Sequence, residues 1–110
     1  MIIKIVDNYI LFKLDLADKF NDLKDQFNSN KYIHSNIIID LKSIQIIDYL
    51  DFLSSLSEKY KILNKSFIVI TSQINEQLHE LELALVPTFN EALDLIQLEE
   101  IERDLDLETI

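Results

Sequence analysis

The 110-residue chain has no cysteine, no glycine and no tryptophan, one proline, and only two histidines. Without cysteine, disulfides, thiolate-ligated metals, iron–sulfur clusters and thiol nucleophiles are excluded. His34 and His79 stand far apart, with no partner at metal-ligand spacing, so a His-rich metallohydrolase site is excluded too. The missing glycine removes a further group of enzymes together. Walker loops, dinucleotide fingerprints and serine nucleophile elbows all need it where the backbone approaches a ligand or turns left-handed. Left-handed positions then fall to asparagine, which tolerates them best after glycine. Asn8, Asn28, Asn30, Asn36 and Asn64 all lie between candidate elements.

Long apolar runs are also absent. Nearly half the residues are apolar, but they come in short runs such as Ile37-Ile38-Ile39, far below the ~20 needed to span a bilayer. No basic region followed by a small-residue cleavage site opens the chain, so a cytoplasmic protein with no membrane partner is expected. The length suits one domain over 1–105, with 106–110 read as a disordered acidic tail.

Positive charge is scarce, and its distribution is uneven. Residues 1–75 carry nine lysines and nine acidic residues, whereas 76–110 carry eleven acidic residues against Arg103, so the whole net charge of −10 lies in the last third. Such a surface repels nucleic acid and anionic lipid. Its complement is a protein partner with a basic surface; the plainer reading is a solvated acidic face.

The apolar spacing outlines the elements. Met1–Val6 and Tyr9–Leu14 read as a hairpin about Asp7-Asn8. Leu16, Phe20, Leu23 and Phe27 mark a helix over 16–28, and Asn36–Leu41 a central strand. The stretch SIQIIDYLDFLSSL, Ser43 to Leu56, reads as the end of a buried strand entering a helix over 49–63. Phe67–Thr71 is the next strand. Ser72–Leu83 is a helix with Ile74, Leu78, Leu81 and Leu85 turned inward, and Leu85-Val86 is a short extended piece before Pro87. Thr88-Phe89-Asn90-Glu91 forms a capping box that starts a last helix running to about Asp104. On it Phe89, Ala92, Leu93 and Ile96 fit a core, while Leu98, Ile101 and Leu105 lie about half a turn away and would be exposed.

Candidate functional residues cluster at two places. At the 48–51 junction, Asp48 reads as an N-cap worth roughly 1 kcal/mol, and Asp51 adds a favourable charge in the first turn. The functional alternative, convergence of Asp40, Asp48 and Asp51 around Mg²⁺ or as a phospho-acceptor pocket, has no ligand-spacing motif behind it. Tyr49 is either core or an aromatic anchor for a partner. The second place is the outer stripe of the last helix. No catalytic, cofactor or metal residues are assigned.

The order of elements, with "NIIIDLKSIQIIDYLDFLSSL", "KSFIVITSQINEQLHEL" and "VPTFNEALDLI", resembles the STAS domain of bacterial anti-sigma factor antagonists over most of the chain. The resemblance implies an α/β fold, a small mixed sheet with helices mainly on one face. It also implies regulation by protein–protein binding. In that family the corresponding stretch reads Asp-Ser-Ser-Gly and its second serine is phosphorylated. Here Asp48 matches the aspartate, Tyr49 and Leu50 stand at the serines, and Asp51 replaces the glycine, so the acceptor hydroxyl is gone. The expectation is a non-enzymatic interaction module that binds through Tyr49, Leu50, Asp51 and Ser54 or through Leu98, Ile101, Glu102 and Leu105. The alternative is a structural subunit or homodimer that uses the acidic last helix as its interface. A nucleotide or small-molecule regulator is disfavoured by the missing glycine and the acidic surface.

Overall fold

The computed structural model describes residues 1–74, 78 and 81–108, with side chains as far as residue 105. Five strands form one mixed sheet in the order β1-β2-β3-β4-β5: β1 (Ile2–Ile5), β2 (Tyr9–Lys13), β3 (Asn36–Asp40), β4 (Phe67–Ile70) and β5 (Ala84–Val86). The β1–β2 hairpin is antiparallel; β2, β3, β4 and β5 pair in parallel. The helices are α1 (Phe20–Gln26), α2 (Leu50–Ile62) and α3 (Phe89–Glu108). A strand order that follows the chain, with crossover helices on one face, is what successive right-handed crossovers produce.

The alternation of side chains along the strands divides the core in two. Ile10, Phe12, Ile37, Ile39, Phe67 and Val69 face α1 and α2, where they meet Leu23, Leu53, Leu56 and Tyr60. Ile38, Ile68 and Ile70 point the opposite way and are covered by Ala92 and Ile96 of α3. Among the described residues, α1 and α2 therefore share one face, as the sequence suggests, and α3 covers the other. With both faces covered, β3 and β4 are buried at every position, which accounts for their nearly unbroken isoleucine and valine. Aromatic rings fill the first layer: Phe20 meets Tyr49 edge-on at 4.4 Å, Phe12 lies 5.0 Å from Phe27, and Tyr60 stacks on Phe67 at 5.7 Å.

Several element boundaries differ from the sequence reading. α1 begins at Phe20 rather than at 16, because the chain first makes an aspartate-closed turn. The Asp15 carboxylate accepts from the Ala17 N–H at 2.9 Å, and Asp18 accepts from the Asp15 N–H at 2.9 Å. Such side-chain bonds compete with the helix for the same donors, and Leu16, expected on the buried stripe, is left 83% exposed. The helix then starts with the Lys19 N–H donating to the Asp22 carboxylate at 3.2 Å. The stretch read as the end of a buried strand is a 3-10 turn over Ile46–Tyr49. The helix expected over 72–83 is not formed at 72–74, where the Gln73 N–H donates to Thr71 Oγ1 at 3.1 Å, nor at 81–83; residues 75–77, 79 and 80, His79 among them, lie outside the described residues. Of its inward leucines, Leu78 is buried and Leu81 is 39% exposed. α3 continues to Glu108 instead of ending near Asp104, into the segment read as a tail; residues 109–110 lie outside the described set.

Of the five asparagines between the expected elements, Asn64 takes the left-handed conformation, at φ 58°; the other such residue among those described is Glu82, at φ 56°. Asn64 closes α2. Its N–H donates to the Lys61 carbonyl at 3.1 Å, and the Lys65 N–H reaches back to the Tyr60 carbonyl at 2.9 Å. This is the paired bonding by which a left-handed residue satisfies the last carbonyls of a helix. Asn64→Gly is expected to leave stability within a few tenths of a kcal/mol, whereas Asn64→Val should cost about 1–2 kcal/mol through its β-branched carbon. Urea unfolding midpoints check both.

The buried Tyr60 hydroxyl donates to the Tyr32 carbonyl at 3.0 Å. Burial, with a smaller contribution from Tyr32, pushes its phenol up to about 12. An unfolded tyrosine ionises near 10, so the stabilisation is complete below pH 10 and is lost as pH rises from there towards 12. Two pKa units correspond to about 2–3 kcal/mol. Urea midpoints at pH 9 and 11.5 should therefore fall more steeply for the wild type than for Tyr60→Phe, although that variant should be about 1–3 kcal/mol less stable at neutral pH because the Tyr32 carbonyl loses its donor.

Candidate interaction surface

At the 48–51 junction the structure separates residues that are adjacent in sequence. Tyr49 is 6% exposed and packs against Phe20, so it belongs to the core and is withdrawn from the partner surface. Burial, followed by the charge of Asp48, holds its phenol above the ordinary range. Leu50 is half-buried, Asp51 is exposed and Ser54 is partly exposed. These three remain at the surface without an aromatic anchor among them.

Asp48 does not cap the helix. The residue preceding α2 is Tyr49, no side chain caps it, and Asp48 lies inside the 3-10 turn. The donor at the start of that turn is satisfied from across the fold: the Ile46 N–H donates to Gln73 Oε1 at 2.9 Å, and Gln73 Nε2 donates to Gln45 Oε1 at 2.8 Å. Gln73 follows β4, so no local pattern around Asp48 signals it. Asp40 is buried and accepts from the Lys42 N–H at 3.1 Å. Among the described residues no three histidine or acidic side chains are grouped to hold a metal ion, and Asp40, Asp48 and Asp51 do not form the Mg²⁺ pocket weighed above.

The second candidate is built on α3. Thr88 starts it as the sequence indicates, its hydroxyl accepting from the Glu91 N–H at 3.2 Å, a bond that anchors the helix start. The inner face is apolar only as far as Ile96. Beyond it Glu100 and Arg103, one turn and then nearly another further on, face the sheet and meet its lower end. The Glu100 carboxylate accepts from Asn8 Nδ2 at 2.7 Å and from Asn36 Nδ2 at 3.5 Å, and Arg103 Nη1 donates to Ser66 Oγ at 3.3 Å. Asn36 and Ser66 are themselves buried. Asn36 Nδ2 also donates to the Asn8 carbonyl at 3.0 Å, and its Oδ1 accepts from the Ser66 N–H at 2.8 Å. This polar knot sets the rotation of α3 on the sheet.

With that rotation, Leu98, Ile101 and Leu105 point directly away from the core. They are 52%, 52% and 54% exposed. Positions i, i+3 and i+7 form a single stripe, and exposed Asp94, Glu102 and Asp104 stand on and beside it. The four predicted residues of this helix thus share one exposed surface, and it is separate from Leu50, Asp51 and Ser54 on α2. The roles of Glu100 and Arg103 were not visible in the sequence, where each reads as one more charge of a solvated helix.

Among the described residues no helix is long and apolar enough to cross a membrane. Comparison with protein-family models, with curated proteins and with solved structures finds no match for this chain.

With leucine at position 50 and the Tyr49 ring packed in the core, the helix start offers no serine hydroxyl at positions 48–51. Incubation with ATP and a serine kinase of the anti-sigma type should leave residues 48–51 unmodified. Peptide mass spectrometry that maps a phosphate to Tyr49 would overturn this expectation.

Proposed function

We propose that the chain is a non-enzymatic protein-binding module of STAS-like type, acting in the cytoplasm without a phosphoserine switch, and that it binds through the outer face of α3. The observation that carries the reading is the stripe Leu98, Ile101 and Leu105, half exposed on the side of the helix opposite its core contacts. An apolar stripe edged by charge has the form of a helix-in-groove contact. Its acidic fringe favours a partner segment that places lysine or arginine beside its own apolar residues. Leu50, Asp51 and Ser54 offer a smaller, more polar second contact.

Self-association through the same face would set two acid-rich helices side by side. Like charges oppose that arrangement, and this weighs against the homodimer.

Replacing Leu98, Ile101 and Leu105 together by serine should leave stability within about 0.5 kcal/mol per site, since none contributes to the core. The variant should nevertheless lose a partner that the wild type retains from its source cell. Retention by the wild type should weaken as salt rises from about 0.05 to 0.5 M, where screening shortens to a few ångströms. The same partner held equally by both proteins would overturn the assignment of the face. Light scattering that shows a wild-type dimer and a monomeric variant at micromolar concentration would favour the structural-subunit reading instead.

A further inference from the structure

On the edge of the molecule near the lower end of β4, an open cleft of about 380 Å³ lies between the end of α2, the start of β5 and α3. Its volume is within the range of small-molecule sites. Phe67 and Ala84 supply apolar surface, and the charged groups come from separate elements. Lys61, at the end of α2, and Lys65, just after it, contribute cations; Glu99 and Glu102 of α3 and Glu82 before β5 contribute carboxylates. Arg103 also lines the cleft; its Nη1 donates to the neutral Ser66 hydroxyl, and its charge adds to that of the lysines.

The ion pair found among the described residues is that of the Met1 amino group with Asp18, and neither lysine of the cleft contacts a carboxylate across it. The cleft therefore holds two unlike sets of charge apart around a space large enough for a ligand. Both left-handed residues, Asn64 and Glu82, line it. Asn64 is accounted for by the end of α2. Glu82 follows the turn in which the Leu81 N–H donates to the Leu78 carbonyl at 3.2 Å, and a residue with a β-carbon adopts that conformation at a cost.

We propose that this cleft binds a small zwitterion, an α-amino carboxylate of amino-acid to dipeptide size. Its carboxylate is held by Lys61 and Lys65, and its ammonium by Glu99 and Glu82. A simple anion meets three carboxylates there and a simple cation meets two free lysines, whereas a ligand carrying both charges satisfies each side with charge-assisted hydrogen bonds. Such a site needs no glycine-rich loop, so the absence of glycine does not exclude it. Its key residues lie off the Leu98–Ile101–Leu105 stripe, and it stands whether or not that stripe binds a protein.

The test is an NMR titration of the full ¹⁵N-labelled chain with glycylglycine, N-acetylglycine and glycinamide, which carry both charges, the carboxylate only and the ammonium only. Saturable shifts at the amides of Lys65, Ala84 and Glu99 are expected with glycylglycine, with affinity at least about tenfold above either singly charged probe. Lys65→Gln and Glu99→Gln should each weaken glycylglycine by about tenfold, while the rest of the amide spectrum stays unchanged. No saturable shift, a smaller preference for the zwitterion, or variants that bind as well as the wild type would overturn the proposal.

Discussion

The structure depends on the requirement that a sheet of short strands be covered on both faces by a chain with few helices to spend on it. β3 and β4 present apolar side chains both ways, and leaving either face in water would forfeit roughly 2 kcal/mol for each large residue exposed. α1 and α2 share one face, so the second falls to α3. Strands of four or five residues span ~13–17 Å, whereas a helix of 20 residues is ~30 Å long. The helix is far longer than the surface it must cover. Its apolar contact ends near Ile96, polar contact continues through Glu100 and Arg103 to the sheet's lower end, and the residues beyond have no sheet left to cover. The exposed stripe runs alongside this polar contact on the opposite side of the helix, where the sequence keeps apolar residues that no core requires.

What was legible in the sequence, and what was not, follows the distance over which each feature is determined. The two stripes of α3 were readable because periodicity along one helix is local, and the Thr88 cap was readable because its acceptor and donor lie three residues apart. Asn64 was readable only as one of five candidates: Asn8, Asn28, Asn30 and Asn36 do not take the left-handed conformation, and the second such position among the described residues falls to Glu82. Asp48 shows the opposite case. Its position before a helical pattern suggested a cap, but Gln73, 27 residues beyond Ile46, satisfies the N–H of Ile46, and a 3-10 turn over Ile46–Tyr49 takes in Asp48. Tyr49 could not be assigned between core and surface until Phe20 was placed against it. The start of α1 failed for a local reason that was overlooked: Asp15 and Asp18 bond to nearby N–H groups more readily than the helix recruits those groups. The cleft could not be seen at all, since its walls come from α2, β5 and α3.

Charge on α3 divides into two functions that composition treats as one. Glu100 is turned inward and accepts from two asparagine side chains, while Arg103, three residues later, reaches a buried serine. Both belong to the network in which Asn36 ties the starts of β2, β3 and β4 together. Asp94, Glu102 and Asp104 face outward along the Leu98–Ile101–Leu105 stripe, and Glu99 lines the cleft. A helix with apolar residues on opposite sides has no strong preference of its own for which side is buried. In α3 the choice is made at both ends: at the first turns by Phe89, Ala92 and Ile96 against the isoleucines of the sheet, and at the lower end by the fit of Glu100 and Arg103 to fixed polar partners. Rotating α3 by half a turn would bury Asp94 and Glu102 beside Ile38 and Ile68 with no donors to meet them, a penalty of several kcal/mol for each carboxylate. The polar knot and the outward acids therefore enforce the same orientation. The apolar stripe can stay exposed without competing for the core, because the charges interleaved with it exclude it from that position.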